Sequence, residues 1–149
     1  MTVAGWTSTA ALCVLLLGGT MPCAGQGLEG ADSALGRAHG AADAWLALVD
    51  GSQYEASWDS AASLFRAAVT RSDWQTSLMK ARAPFGPIRG RTLLSAAYRT
   101  ELPGAPPGEY VVMQYEAEVA GDRTIVETVT PMRESDGRWR VSGYYIRPR

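Results

Sequence analysis

At Pro84-Phe85-Gly86-Pro87 the hydrophobic pattern changes period, and this limits the fold more than any other feature of the sequence. Upstream, Leu35, Ala38, Ala42, Trp45, Leu46 and Val49 recur every three or four residues, drawing one apolar stripe along a helix. Asp50-Gly51 stops it. Ser52 with Glu55 reads as a capping box for a second helix, whose stripe is Tyr54, Trp58, Ala61, Ala62, Phe65 and Ala68 or Val69. Ser72 with Gln75 repeats that pattern before a third, shorter stripe of Trp74, Leu78 and Ala81. Pro84 and Pro87 then withdraw the amides a helix needs.

Downstream the period is two. Thr92, Leu94, Ala96 and Tyr98 alternate with Arg91, Leu93, Ser95 and Arg99, which predicts a first strand. Leu102 to Gly108 is a stiff, proline-rich loop that cannot pair in a sheet. Val111, Met113, Tyr115, Ala117 and Val119 alternate with Gln114, Glu116 and Glu118 in the clearest strand. Ile125 to Met132 is a third, Asp136-Gly137 a hairpin turn, and Trp139 to Ile146 a fourth. Helices followed by a strand meander predict an α+β fold: three N-terminal helices packed on one face of a curved four-stranded antiparallel sheet. Sheets of this order curl around their helices and leave a cavity at the open end, where ligand chemistry would sit.

Residues Ala10 to Gly19 carry no charge and are apolar or small, too few to span a membrane and the right number for the core of a secretory signal. The expected division is a signal peptide at 1–25, a Gly-rich acidic flexible leader at 26–33 and one domain at 34–149. That places the mature protein in the periplasm or outside the cell, with no integral membrane part. A lipid anchor on Cys23 is the weaker reading, because Pro22 stands where such a signal wants a small residue. Both cysteines, Cys13 and Cys23, fall inside the signal, so neither disulfides nor thiol chemistry hold or run the mature chain. About 120 residues remain, enough for one hydrophobic core. Fourteen basic residues against fifteen acidic ones leave no strong field of either sign, which argues against nucleic acid or a membrane surface as partner.

The only histidine, His39, lies off the first apolar stripe with no positioned carboxylate or nucleophile, and reads as a solvated helix residue. One histidine and no mature cysteine make a zinc site unexpected. No phosphate loop or nucleophile elbow occurs, and no metal or other cofactor is expected. Glu127 is the residue of interest. Pairing the last two strands across Asp136-Gly137 sets Glu127 on one face with Ile125, Val129, Tyr144 and Ile146, while Val126, Thr128, Thr130 and Met132 share the other with Val141 and Tyr145. A carboxylate among apolar neighbours is either a pocket acid or ligand anchor, or a structural group paired with an arginine such as Arg140 or Arg91. Glu127 and Tyr144 are the candidate catalytic pair; Glu127, Tyr144, Tyr145, Tyr115 and Arg91 are the candidate ligand contacts. Ordinary core packing is the default for the tyrosines and tryptophans. Arg89, Arg91 and Arg99 are expected on one strand face, bridging to acidic neighbours. Apolar groups on both faces of the fourth strand call for a cover: a twofold dimer through the sheet face, or a bulge at Gly143 that turns both tyrosines inward.

The order Ala42, Trp45-Leu46, Val49-Asp50, Tyr54, Ser57-Trp58, Phe65, Trp74, Pro84-Phe85-Gly86 and Arg91 is distinctive. So is Leu102-Pro103-Gly104, Gly108-Glu109-Tyr110, Glu127-Thr128-Val129-Thr130 and Trp139-Arg140-Val141 before Gly143-Tyr144-Tyr145-Ile146. Together they resemble the bacterial exported family called domain of unknown function 4019. That resemblance implies a cystatin-like or nuclear-transport-factor-2-like roll and no particular activity; the Gln-x-Val-x-Gly loop of cystatin-type inhibitors is absent. The functional expectation is therefore a small exported binding or interaction module, holding an apolar ligand or a second copy of itself. An isomerase- or dehydratase-type enzyme using Glu127, and a structural component of an envelope assembly, are the alternatives.

Overall fold

The computed structural model describes residues 25–149; the expected signal segment, with Cys13 and Cys23, lies outside them apart from its last residue. Among the described residues four helices precede four strands: α1 (Gly25–Asp50), α2 (Tyr54–Asp59), α3 (Ser63–Ala68), α4 (Arg71–Arg82), β1 (Gly90–Arg99), β2 (Tyr110–Val119), β3 (Arg123–Arg133) and β4 (Trp139–Pro148). The strands form one antiparallel meander in the order β1-β2-β3-β4. The class is α+β with the helices first, but the helix count and several ends differ from the sequence reading.

The segment read as a flexible leader is the first part of α1. Ala34 is buried against the sheet and Ala31 half-buried, so the apolar stripe begins earlier than Leu35 and carries the helix with it. At the other end Ser52 does not cap α2. It takes a left-handed φ of 57° and closes α1 instead: its amide donates to Val49 C=O at 3.1 Å, and that of Gln53 to Leu48 C=O at 2.8 Å, the two bonds of a Schellman motif. A residue committed to that geometry cannot also open the next helix. Gln53 stands there, without a side-chain cap.

The expected second helix is split in two. Ala62 is extended, with φ −60° and ψ 152°, and its amide donates to Val141 C=O of β4 at 2.8 Å. The N–H that would continue a helix is bonded to the sheet, so α2 ends and α3 restarts. For α4 the cap is Thr70, whose Oγ1 accepts from the Asp73 amide at 3.1 Å; the cap expected at Ser72 lies two residues too late.

All four strands turn one face to the helices. Val111, Met113 and Tyr115 of β2, Val129 of β3, and Trp139 and Val141 of β4 are buried there with Trp45, Leu46, Phe65, Trp74 and Leu78. Ser57, fully buried, organises this core: Trp45 Nε1 donates to its carbonyl at 2.8 Å and Trp74 Nε1 to its hydroxyl at 3.0 Å. Phe65 meets Trp74 edge-on at 4.9 Å, and Tyr144 lies 5.3 Å from Trp45, geometries that add about 0.5–1.5 kcal/mol per pair.

Each edge strand carries a bulge, and the two bulges decide which residues are inside. In β4, Thr130 pairs with Gly143 but Pro131 with Val141. This extra residue brings Trp139 and Val141 onto the same face as Tyr144 and Ile146, so Val141 is not beside Tyr145 as alternation required. Apart from Tyr145, the apolar groups assigned to both faces of the strand thus lie on one. The bulge does not turn both tyrosines inward: Tyr145 remains outside and 63 % exposed. In β1 the register slips between Leu93 and Ser95. Arg91 pairs with Ala117 on the helix side while Arg99 pairs with Tyr110 on the other, so those two arginines do not share a face.

A closed charge network as candidate functional site

Glu127 sits mid-strand in β3, between Tyr115 of β2 and Ile146 of β4, with no exposed surface. Three further side chains reach it, and a fourth ties two of them together. Arg91 of β1 donates Nε to Oε2 at 2.6 Å. Tyr144 of β4 donates its hydroxyl to Oε1 at 2.5 Å. Arg82, in the last turn of α4, places Nη1 3.6 Å from Oε1 and 3.5 Å from the Tyr144 oxygen. Asp50, the last residue of α1, joins the two guanidiniums: Arg82 Nη2 reaches it at 2.6 Å, Arg91 Nη1 at 2.9 Å and Arg91 Nη2 at 3.2 Å. Two carboxylates thus face two guanidiniums, and the set is neutral.

Burial of the ring, then the Glu127 charge it donates to, pushes the Tyr144 hydroxyl well above the ordinary tyrosine range. Burial would lower the Arg91 guanidinium, but its hydrogen bonds to Asp50 and Glu127 outweigh that and raise it. Burial likewise opposes ionisation of Asp50, and the bonds and charges of Arg91 and Arg82 reverse it, holding the carboxyl below its usual value. The contacts therefore favour the ionised forms of Asp50 and Arg91 and keep Tyr144 neutral as a donor.

Of the candidates named from sequence, Glu127, Tyr144 and Arg91 meet directly. Tyr115 is adjacent and buried, its hydroxyl turned to Met113 Sδ at 3.3 Å, and its ring stacks on His39 at 6.2 Å between centroids. Burial first, then Asp43, raises the Tyr115 hydroxyl above its usual range. Tyr145 lies on the opposite face and takes no part. Arg140, offered as a partner for Glu127, instead holds Glu134 and Asp136 in the β3–β4 hairpin. That pairing, with an amide from Arg138, lowers Asp136 to about 2.

Sequence reasoning missed Arg82 and Asp50. A signal was present: Arg82 continues the Trp74, Leu78 series by four residues, and Asp50 lies four beyond Leu46. A charge prolonging an apolar stripe needs a buried partner. Beside the network a cleft of about 450 Å³ opens between α1 and β1, lined by His39, Leu46, Asp50, Arg91, Leu93 and Tyr115 among others. Among the described residues no cluster of His, Cys, Asp or Glu is arranged to hold a metal, and no helix is long and apolar enough to cross a membrane.

These features define an α+β domain whose most reactive-looking side chains are bonded to one another. The family model described as "Protein of unknown function (DUF4019)" matches residues 41–144, and the chain belongs to that family. Asp50, Arg82, Arg91, Glu127 and Tyr144 all fall within the matched stretch. A search of curated proteins finds no match.

Proposed function

We propose that the protein is an exported, non-catalytic interaction module, and that it takes an extended acidic segment of a partner polypeptide as an added strand along β1. The observation that carries this reading is the contrast beside Glu127. The carboxylate is closed, with both oxygens engaged, whereas the strand supplying Arg91 is an open edge. A general acid or base needs to reach a substrate proton, and Glu127 has neither a free oxygen nor exposed surface.

The β1 edge has the attributes of a strand acceptor. Leu93 and Leu94 are 38 % and 50 % exposed, and the adjoining cleft can take side chains from an added strand. From Arg89 to Arg99 the strand carries no acid, and while Arg91 is held by Glu127 and Asp50 and Arg89 by Asp122, Arg99 is in no ion pair among the described residues. A second copy is the poorer occupant, because antiparallel pairing about Leu94 sets Arg89 of one chain against Arg99 of the other. Export rests on the uncharged apolar run from Ala10 to Gly19, and the mass of the protein recovered outside the cytoplasm tests it.

The binding test uses a ten-residue peptide alternating Glu and Val, with a Lys-for-Glu version as control, followed by fluorescence anisotropy. The acidic peptide is expected to bind saturably and to weaken as salt rises, and the basic one not to bind. Equal binding of both, or of neither, sinks the proposal. A concentration-dependent dimer competed away by the acidic peptide would show a second copy using the same edge.

A further inference from the structure

Four tryptophans stand among the described residues, and three satisfy their indole N–H inside the protein. Trp45 and Trp74 donate to Ser57, and Trp58 to Val69 C=O at 2.8 Å. Trp139 differs. It is 8 % exposed, and its N–H is closed to solvent without an acceptor among the described residues. A buried donor left unpaired forfeits its hydration with nothing in return, so an arriving acceptor regains the full difference.

Trp139 lines a groove of about 340 Å³ between α1 and the start of β4. Ala41, Ala44 and Leu48 form the α1 wall, and the two alanines are what leave the space. Two arginines also line it. Arg140 is held by Glu134 and Asp136, whereas Arg138 is exposed and in no ion pair among the described residues. Ser60 donates its hydroxyl to Ser57 C=O at 3.2 Å. The groove therefore combines an apolar wall, one unused buried donor and one unused cation.

We infer that this groove binds a small amphiphile with a carboxylate head, of the medium-chain fatty-acid class. The carboxylate accepts from Trp139 Nε1 and pairs with Arg138, while the chain lies against Ala41, Ala44 and Leu48. Because the N–H is closed to solvent, a head group reaches it only after a local rearrangement of the groove lining. His39, Asp43 and Leu46 of the cleft beside β1 lie on the other side of α1, so this site is separate from the strand-accepting edge and stands without it.

The experiment is a titration of the ¹⁵N-labelled full chain with octanoate, methyl octanoate and octylammonium, read at the indole N–H resonances. Octanoate is expected to move the Trp139 resonance saturably while Trp58 and Trp74 stay in place. Methyl octanoate should bind at least about tenfold more weakly, and octylammonium not at all. Arg138→Gln should cut octanoate affinity roughly tenfold and leave the ester unaffected. Trp139→Phe removes the donor but alters the core, so Ala44→Phe, at an exposed position, is the companion variant: it fills the groove and should abolish binding at an unchanged urea midpoint. No movement of Trp139 at millimolar octanoate, an equal response to the ester or the amine, or a shift that survives Ala44→Phe would overturn the inference.

Discussion

The two edge strands use the same device and end in different circumstances. In both β1 and β4 one bulged residue resets the alternation, adding Arg91 and Leu93 to the inner face in one case and Trp139 and Val141 in the other. Beyond that the edges diverge. The outer backbone of β4 is met by the Ala62 amide and by α3, while among the described residues β1 pairs only with β2 and shows Leu93 and Leu94 at its surface. A bulge thus decides what enters the core, and a cover decides whether the strand can still accept another. Glu127 links the two, taking Arg91 from one edge and Tyr144 from the other.

The strongest way to break that link is Glu127→Ala. It leaves Arg82 and Arg91 buried against Asp50 alone, and losing one member of a buried ion set costs about 3–5 kcal/mol. Urea unfolding should show that loss, and hydrogen exchange should show faster opening of both β1 and β4. Faster exchange at only one edge would mean that Glu127 does not join them. Asp50→Asn is milder, roughly 1.5–3 kcal/mol, because its three charge-assisted bonds from two guanidiniums weaken at a partly exposed position. It also carries a pH signature. The folded Asp50 carboxyl lies below its unfolded value, so the unfolded chain takes up the proton first as acid is added. The contribution is complete above the ordinary aspartate range and is lost as pH falls through the depressed folded value. The variant should therefore flatten the acid limb of the stability curve, and an unchanged slope would refute the role given to Asp50.

The contrast between the edges was only partly legible in the sequence. The period change at Pro84–Pro87 and the Asp136-Gly137 turn separate helices from meander through local propensity alone. Glu127 and Tyr144 share a face by simple alternation, because no bulge intervenes between them and their register partners. Val141 was misplaced because alternation says nothing of an inserted residue; the mixed apolar faces of β4 hinted at one without locating its effect. Ser52 and Ala62 were misread because a backbone group can serve one partner only, and theirs, the closing turn of α1 and β4, are chosen by tertiary structure. Arg82 and Asp50 required knowing that the C-terminal ends of α1 and α4 meet over β3.

Ala62→Pro would make the covered edge resemble the open one. Ala62 already has a proline-compatible φ of −60°, but the ring Cδ would stand where the N–H now meets Val141 C=O at 2.8 Å, so the substitution both deletes a donor and pushes that carbonyl away. The cost should be about 2–3 kcal/mol, only partly offset by a stiffer unfolded chain. Exchange should rise along β4 and stay unchanged along β1. Destabilisation spread evenly over the sheet would show that this bond supports the whole fold and not one edge.

Leu94→Glu addresses the open edge, with the smallest expected effect on stability and the sharpest on association. Leu94 is half exposed at a bulge, where a substitution costs within about 0.5 kcal/mol. A carboxylate there repels an acidic strand and removes apolar contact, so affinity for the Glu/Val peptide should fall at least about tenfold while the urea midpoint holds. The same change in a covered edge could not separate the two quantities, since the residues that close β4 also build the core. If binding and stability fell together at Leu94, β1 would be as integral to the fold as β4, and the difference between the edges would be one of exposure alone.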